Sequence, residues 1–502
     1  MPISRLLDSL IRGATNARPA HSGILAILIS LGGYLFLWAL YGALAKASQD
    51  LHPDMIEKIV WSRESFESLK HPPLSQWLVR LWFSVFPTTD WAFYVLGILI
   101  AVITLLAIYG VSTDYLAANK RAFALALMTF IPFFNFHALK YNENTVLMPL
   151  WAITTLCFLR SYRAKSSGYG ALAGAVAAAA LLSKYWSIFL VAGLGLAALI
   201  DIRRGLYFRS AAPWVTIAVG LALLLPHLVW LTQNHFAPIQ YGIDVHAGQQ
   251  LTTTLREALS YLVGSAGYVA LPVVLVVITA RPNLTEIADM LWPTDADRRL
   301  VAASFWAPLL LPAVIAPVAG IAINPLWSMS AWTLLPILLL SSARVNIATV
   351  QKRRILTFAV LFPVLMVLAA PFIALAIHYF GFLPVSAYGR SVSAEVERAW
   401  REVTKAPLRY VDGDFAYQIA VYSPDRPRPL PDLPPIPFAT LAEYGIATAC
   451  YYDDRKCMGE ASLLQRNEPR SRQFDVSMTP LFLGIKGPAR PFMILIVPPR
   501  LS

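Results

Sequence analysis

Asp54 and Glu57 stand three residues apart in the stretch LHPDMIEKIVWSRESFESLKHPPLSQWLVRL, residues 51–81. On a helix that spacing puts both carboxylates on one face. Two carboxylates held together suit a general base with a neighbouring helper, or a metal site. A solvated loop with ordinary acids is the plainer alternative. The same stretch supplies Lys58, Lys70 and His71, and Pro72-Pro73 fixes an extended backbone before a helix predicted to begin near Ser75.

Lys184 lies between two apolar runs, next to Tyr185 and Trp186. A cation at the mouth of a cavity, near a helix N-terminus, is well placed for a phosphate; a lysine snorkelling from the end of a span is the alternative. Lys58, Lys70 and Lys140 could serve the same phosphate. Asn142, Glu143 and Asn144 precede an apolar run, so one Asn can cap a helix. Two amides flanking an acid also leave room to recognise hydroxyl groups. His227, His235, Asp244 and His246 match no compact ligand spacing, and no metal is predicted there.

The elements that must position these residues are membrane helices. The chain has 502 residues, 57% apolar, only 14% charged, with a mean hydropathy of +0.56. A soluble protein carries about 25% charged residues. Here apolar runs near the roughly 20 residues needed to cross a hydrocarbon core recur along the chain. They fall at 23–45, 91–111, 122–139, 145–160, 169–183, 185–201, 211–231, 257–280, 301–320, 329–343 and 355–380. The prediction is a polytopic α-helical membrane protein of about 11 spans.

The net charge of +12 follows the same logic. With the N-terminus inside, Lys and Arg in the cytoplasmic links outnumber those in the opposite loops by more than two to one. No basic stripe with interleaved aromatics appears, so nucleic acid is not an expected partner. Residues 1–22 read as a cytoplasmic tail leading into an uncleaved span, because no small-residue cleavage site follows a short apolar core. Residues 23–380 form the transmembrane catalytic domain, with an external loop at 46–90.

That topology places the 46–90 loop on one face with 140–145, 183–186 and 234–248. Met55, Ile56, Ile59, Val60, Phe66 and Leu69 recur at roughly helical spacing, which predicts a helix lying in the membrane interface, apolar side down. After Phe380 the composition changes, and 385–502 reads as a small soluble α/β domain on the external side. Cys450 and Cys457 would then meet an oxidising space, where a disulfide closing a short loop is the expectation and a metal site is not.

The order DMIE, KHPPL and WL, NENT ahead of a span, LLSKYW and then PHLVW resembles bacterial family 39 glycosyltransferases of the GT-C type. That group is similar to protein O-mannosyltransferases and to the aminoarabinose transferase that modifies lipid A. The resemblance spans roughly residues 20–380 and implies the GT-C fold. It also implies transfer of a sugar, with inversion, from a polyprenyl-phosphate carrier to an acceptor at the external leaflet. By motif, Asp54 would be the general base, Glu57 and His71 would support it or orient sugar hydroxyls, and Lys184 with Tyr185 would hold the carrier phosphate. The chain departs from the pattern at two points. Many relatives have Asp and Glu adjacent, and many have an Asp where this chain has Asn142 or Asn144.

The expectation is therefore a hexosyl or pentosyl transferase of the bacterial inner membrane, N-terminus cytoplasmic and C-terminal domain periplasmic. Its partners would be a polyprenyl-phosphate-linked sugar, membrane lipids and a lipid A, core, other lipid or protein acceptor. No cofactor is predicted, although the paired carboxylates leave room for a divalent metal. A transporter or flippase of a lipid-linked glycan is the alternative. It would show a pseudo-repeat and charges near mid-bilayer, whereas this chain gathers its polar residues at one face.

Overall fold

The computed structural model describes residues 20–63, 70–383, 386–430 and 438–500. The expected tail up to residue 19, Phe66 and Leu69 lie outside the described residues. Among the described residues six helices are long and apolar enough to cross a membrane: Ile24–Ala45, Asp90–Tyr115, Glu143–Ala164, Ala212–Gln233, Ala296–Ala319 and Thr349–Phe380. Leu251–Tyr268 and Ala270–Ala280 make a seventh, bent by 56° at Val269. Ser167–Ser183, Tyr185–Ile200 and Ala331–Leu340 are shorter apolar helices. The run expected at 122–139 is divided, Ala118–Met128 being followed by a 3-10 turn at Pro132–Phe134. All eleven apolar runs thus carry helix; among the described residues six, or seven with the bent pair, are long and apolar enough to cross a membrane, and the expected number of about eleven is reached only by adding the short ones.

The outward faces of these helices are wrong for water. Leu221, Leu223 and Leu225 on one helix, and Leu365, Leu368 and Phe372 on another, are all more than half exposed. Only lipid chains can cover such faces without cost, and helices satisfy every backbone polar group internally. The chain is a multi-pass membrane protein.

The chain divides into two compact units. The first comprises residues 1–40, 70–75 and 91–366. Within it Ser167–Ser183 packs on both Glu143–Ala164 and Ala212–Gln233. The contact is backbone to backbone: a Cβ on Gly174 would strike the Thr216 carbonyl, and Gly220 faces Gly174 across the same seam. Small residues are what let membrane helices approach this closely. Three of the arginines used to orient the chain are neutralised locally, Arg160 by Asp114, Arg203 by Asp201 and Arg298 by Asp289.

The second unit comprises residues 41–69, 76–90 and 367–502. Its strands are β1 (Tyr410–Gly413), β2 (Arg428–Pro429), β3 (Ile446–Tyr451), β4 (Arg472–Met478), β5 (Leu481–Phe482), β6 (Ile485–Lys486) and β7 (Arg490–Val497). Five form one sheet in the order β2-β1-β3-β7-β4, parallel on the β2-β1-β3 side and antiparallel about β7; β5 and β6 form a separate ribbon. β3 and β7 are buried on both faces, as expected of strands sandwiched between helices. Ala447, Ala449, Ile494 and Ile496 point into a core shared with Gly389–Val403 and Ala416–Tyr422. Cys450, Met493 and Leu495 point the other way, to Cys457 and Ala461 of Arg455–Asn467. Cys450 and Cys457 are disulfide-bonded, as expected of an oxidising space.

The helix expected in the membrane interface forms at Pro53–Trp61, with Pro53 at a first-turn position and His52 as N-cap. Its apolar side does not simply face lipid. Val60 and Trp61 belong to the core of the second unit with Val392, Trp400 and Phe415, and the helix packs on Ala416–Tyr422. An apolar stripe looks the same whether lipid or a distant part of the chain covers it.

Asp414 sits beside this core, its Oδ2 accepting the Tyr451 N–H at 2.8 Å. Burial, reinforced by Asp454 and Asp453, outweighs that hydrogen bond and pushes its carboxyl up to about 6. The unfolded chain gives up the same proton near pH 4. The folded unit therefore holds a proton that the unfolded chain has lost, and stability falls as pH rises from about 4 to about 6. Asp414→Asn is expected to flatten that part of the profile, checked by unfolding midpoints of wild type and variant at several pH values. Trp61→Ala is expected to cost the second unit about 3–5 kcal/mol, as for other large aromatic truncations. Thermal unfolding and limited proteolysis of the full chain in detergent would register it.

Candidate active site

In the second unit, Asp54 occupies the first turn of Pro53–Trp61. A carboxylate is stabilised there by the helix N-terminus. The His52 ring accepts the Asp54 N–H at 3.2 Å, and the same Nδ1 lies 3.3 Å from Asp54 Oδ1. His52 is a neighbour that sequence reasoning did not single out; the signal was a histidine directly before a helix-starting proline. Asp54 keeps about a third of its side chain exposed, 36%, enough to meet a substrate hydroxyl. Glu57 follows one turn later and is half-buried. Lys58 is fully buried, its ammonium 4.2 Å from the centre of the Trp61 ring.

In the first unit, the other expected residues gather around the start of Glu143–Ala164. Asn142 caps this helix, its Oδ1 accepting the N–H groups of Asn144 and Thr145 at 3.0 and 3.2 Å. Asn144 turns its own Oδ1 to Lys184 Nζ at 2.9 Å. Lys184 stands where Ser167–Ser183 ends, and its ammonium lies 4.4 Å from the centre of the Trp327 ring. Tyr185 bonds His227 Nε2 at 2.9 Å. His71 Nε2 is 3.6 Å from Glu143 Oε1, a carboxylate only 8% exposed. Lys70 Nζ lies 5.8 Å from the Tyr241 ring centre.

Trp327 and Glu257 are additions to the sequence reading, and His246, weighed there only as a metal ligand, joins them. Trp327 sits on a 3-10 turn, Pro325–Ser328, and is packed edge-on by both Trp186 and His246. Glu257 accepts the Ile323 N–H at 3.3 Å and so ties down the 320–328 loop. Burial, and then the Lys184 charge, lower the pKa of His246 while Glu257 opposes them. The imidazole is thus neutral near pH 7. A lone tryptophan in a short apolar link carries no pattern that separates it from lipid-facing aromatics, which is why it was missed.

The arrangement offers two kinds of chemistry. The first unit presents a cation set by an amide and an indole at a helix N-terminus, suited to an anion with an apolar or sugar body. The second unit presents a carboxylate with a histidine beside it, suited to taking a proton.

Residues 70–230 match the family model of dolichyl-phosphate-mannose-protein mannosyltransferases. That stretch includes Lys70, His71, Asn142, Asn144, Lys184 and Tyr185, and begins after Asp54. The chain is 28% identical over 259 residues to the lipopolysaccharide core galacturonosyltransferase RgtA of Rhizobium johnstonii, covering 46% of each protein. It is 22% identical over 201 residues to the lipid A galacturonosyltransferase RgtD of the same organism, covering 39% of this chain and 42% of that one. The chain thus matches less than half the length of these relatives. Its fold is that of ArnT from Cupriavidus metallidurans. The apo crystal structure superposes with a TM-score of 0.62 at 13% identity, covering 95% of this chain and 98% of that one. The crystal structure bound to undecaprenyl phosphate gives 0.61 at 13% identity, covering 96% and 99%. The resemblance read from the sequence is therefore borne out: the chain has the GT-C-type fold of ArnT and over part of its length is similar to galacturonosyltransferases of lipid A and the lipopolysaccharide core.

Proposed function

We propose that the protein is an inverting glycosyltransferase of the bacterial inner membrane. It moves a sugar from a polyprenyl-phosphate carrier to a lipopolysaccharide acceptor, lipid A or core, on the periplasmic face. The observation that carries this reading is Lys184, set by Asn144 and Trp327 at the N-terminal turn of Glu143–Ala164, inside the stretch that matches the mannosyltransferase family. A phosphate on a long isoprenoid needs such a cation beside apolar surface. The ArnT structure with undecaprenyl phosphate shows that this fold accommodates that carrier in a relative. Because RgtA and RgtD are galacturonosyltransferases, a uronic-acid sugar on the carrier is the first donor to test.

In the proposed reaction Asp54 accepts the proton of the acceptor hydroxyl as its oxygen attacks the anomeric carbon from the face opposite the phosphate. The bond between anomeric carbon and phosphate oxygen breaks, and the electron pair leaves with the polyprenyl phosphate. Lys184 and Tyr185 meet the charge that develops on this leaving group. Glu57 and His71 orient the sugar, His71 being held by Glu143, and Asn142 and Asn144 shape the helix start to which Lys184 is tied. The positive-inside count and the disulfide support a periplasmic position for the C-terminal α/β region.

Asp54→Asn is expected to lower kcat for sugar transfer by about 10²–10⁴-fold, the range for losing a general base, with little change in donor KM. Transfer at the wild-type rate would remove Asp54 from that role. Lys184→Ala is expected to weaken polyprenyl-phosphate binding by about tenfold or more, the usual loss when a charged hydrogen bond goes. Undecaprenyl phosphate titrated into the purified protein would show it, and unchanged affinity would reduce Lys184 to a snorkelling residue.

A further inference from the structure

The segment that bears Asp54 is fastened at both of its ends to the C-terminal part of the second unit. At its start, the Asp50 N–H donates to the Ser386 carbonyl at 2.7 Å, and the Leu51 N–H donates to the Tyr422 hydroxyl at 3.1 Å. At its end, Val60 and Trp61 enter the core, Trp61 meeting Tyr417 edge-on, and Arg63 donates to the Ala420 carbonyl at 3.0 Å. Arg390 binds the start from the side. Its backbone N–H donates to Asp50 Oδ2 at 3.2 Å, and its guanidinium stands 3.5 Å from Asp50 Oδ1. The same guanidinium donates to both oxygens of Asp90 at 2.6 and 2.7 Å and lies over the Tyr422 ring.

Asp50 is only 8% exposed. Burial raises its pKa and Arg390 opposes that shift, so removing Arg390 would leave a buried carboxyl without the guanidinium that stands beside it. Such a group is not decoration on a mobile loop. An ion pair at one end, a core tryptophan at the other and a single helix between leave Asp54 little freedom to swing.

We propose that the C-terminal α/β region is the holder of the catalytic segment, and that Arg390 is its principal positioning residue. Through Asp50, Asp90 and Tyr422 it fixes the backbone from which Asp54 projects. The proposal rests on the reading of Asp54 as the base. A displacement of about 1 Å at a reacting group costs on the order of 10²-fold in rate, so a residue that never touches substrate can control turnover.

The test uses the full chain with Arg390→Gln, Arg390→Lys, the double variant Asp50→Asn/Arg390→Gln, and Arg398→Gln as a control. Arg398 lies on the same helix and pairs with Glu395 and Glu402 on its exposed side. Hydrogen–deuterium exchange over residues 50–61 and transfer kinetics are read in parallel. Arg390→Gln is expected to speed exchange in that segment and lower kcat about tenfold or more, with donor KM within about twofold. The lysine variant recovers part of both, the double variant regains part of the protection, and the control changes neither. Unaltered exchange in Arg390→Gln overturns the proposal, as does faster exchange with unchanged kcat, or an equal loss in Arg398→Gln. A rise in KM alone overturns it too, by making Arg390 a substrate contact. Normal transfer in Asp54→Asn would sink only the base assignment, since exchange still reports whether Arg390 holds the segment.

Discussion

Trp61 buries its indole completely, in a core that apart from Val60 is built by residues that follow it by more than three hundred positions. Much of the second unit depends on that insertion. Ala447, Ala449, Ile494 and Ile496 present one face of the sheet, Val392, Val396 and Trp400 cover it from Gly389–Val403, and Val60 and Trp61 complete the filling. Protein interiors tolerate few voids, so the helix bearing Asp54 is as much a part of this core as the strands are. The acid is thereby anchored to a rigid sheet instead of hanging from the end of a membrane span.

The first unit solves a different problem. Its long helices are apolar and are covered either by one another or on outward apolar faces suited to lipid, so their polar residues must be satisfied at the ends or within the bundle. Asn142 meets the backbone of the helix that follows it, Asn144 meets Lys184, Tyr185 meets His227, and Glu143 meets His71. Apart from the Asn142 cap, these pairs join segments 40 or more residues apart in sequence. His71, Asn142 and Lys184 stand at or beside helix ends, and His227 meets Tyr185 from within Ala212–Gln233.

The amino-acid sequence shows the fold class and most of these polar residues. Apolar runs near the crossing length leave few alternatives to membrane helices, and each carries helix here. The loops with Asn142, Asn144, Lys184 and Tyr185 stand out because polar residues are rare around them. Three features were not legible. The apolar stripe of Met55, Ile56, Ile59 and Val60 predicts a buried face but not whether lipid or protein covers it. His52 and Trp327 owe their places to tertiary contacts, and neither residue type is unusual at a membrane surface. Arg390 reads as one basic residue among several on an amphipathic helix, and only its meeting with Asp50 and Asp90 gives it significance.

β7 lies between β3 and β4, with residues 490–497 closing the sheet from the inside. A ribosome makes Pro53–Trp61 long before it makes that strand. For most of synthesis, then, the indole of Trp61 and the valine beside it have no sheet to enter, and the contact of greatest sequence separation is among the last to form. The growing chain must keep these apolar side chains covered by other means until its last strand is made. A chain assembled this way seats the helix that bears Asp54 in its finished core only when synthesis of the last strand is complete.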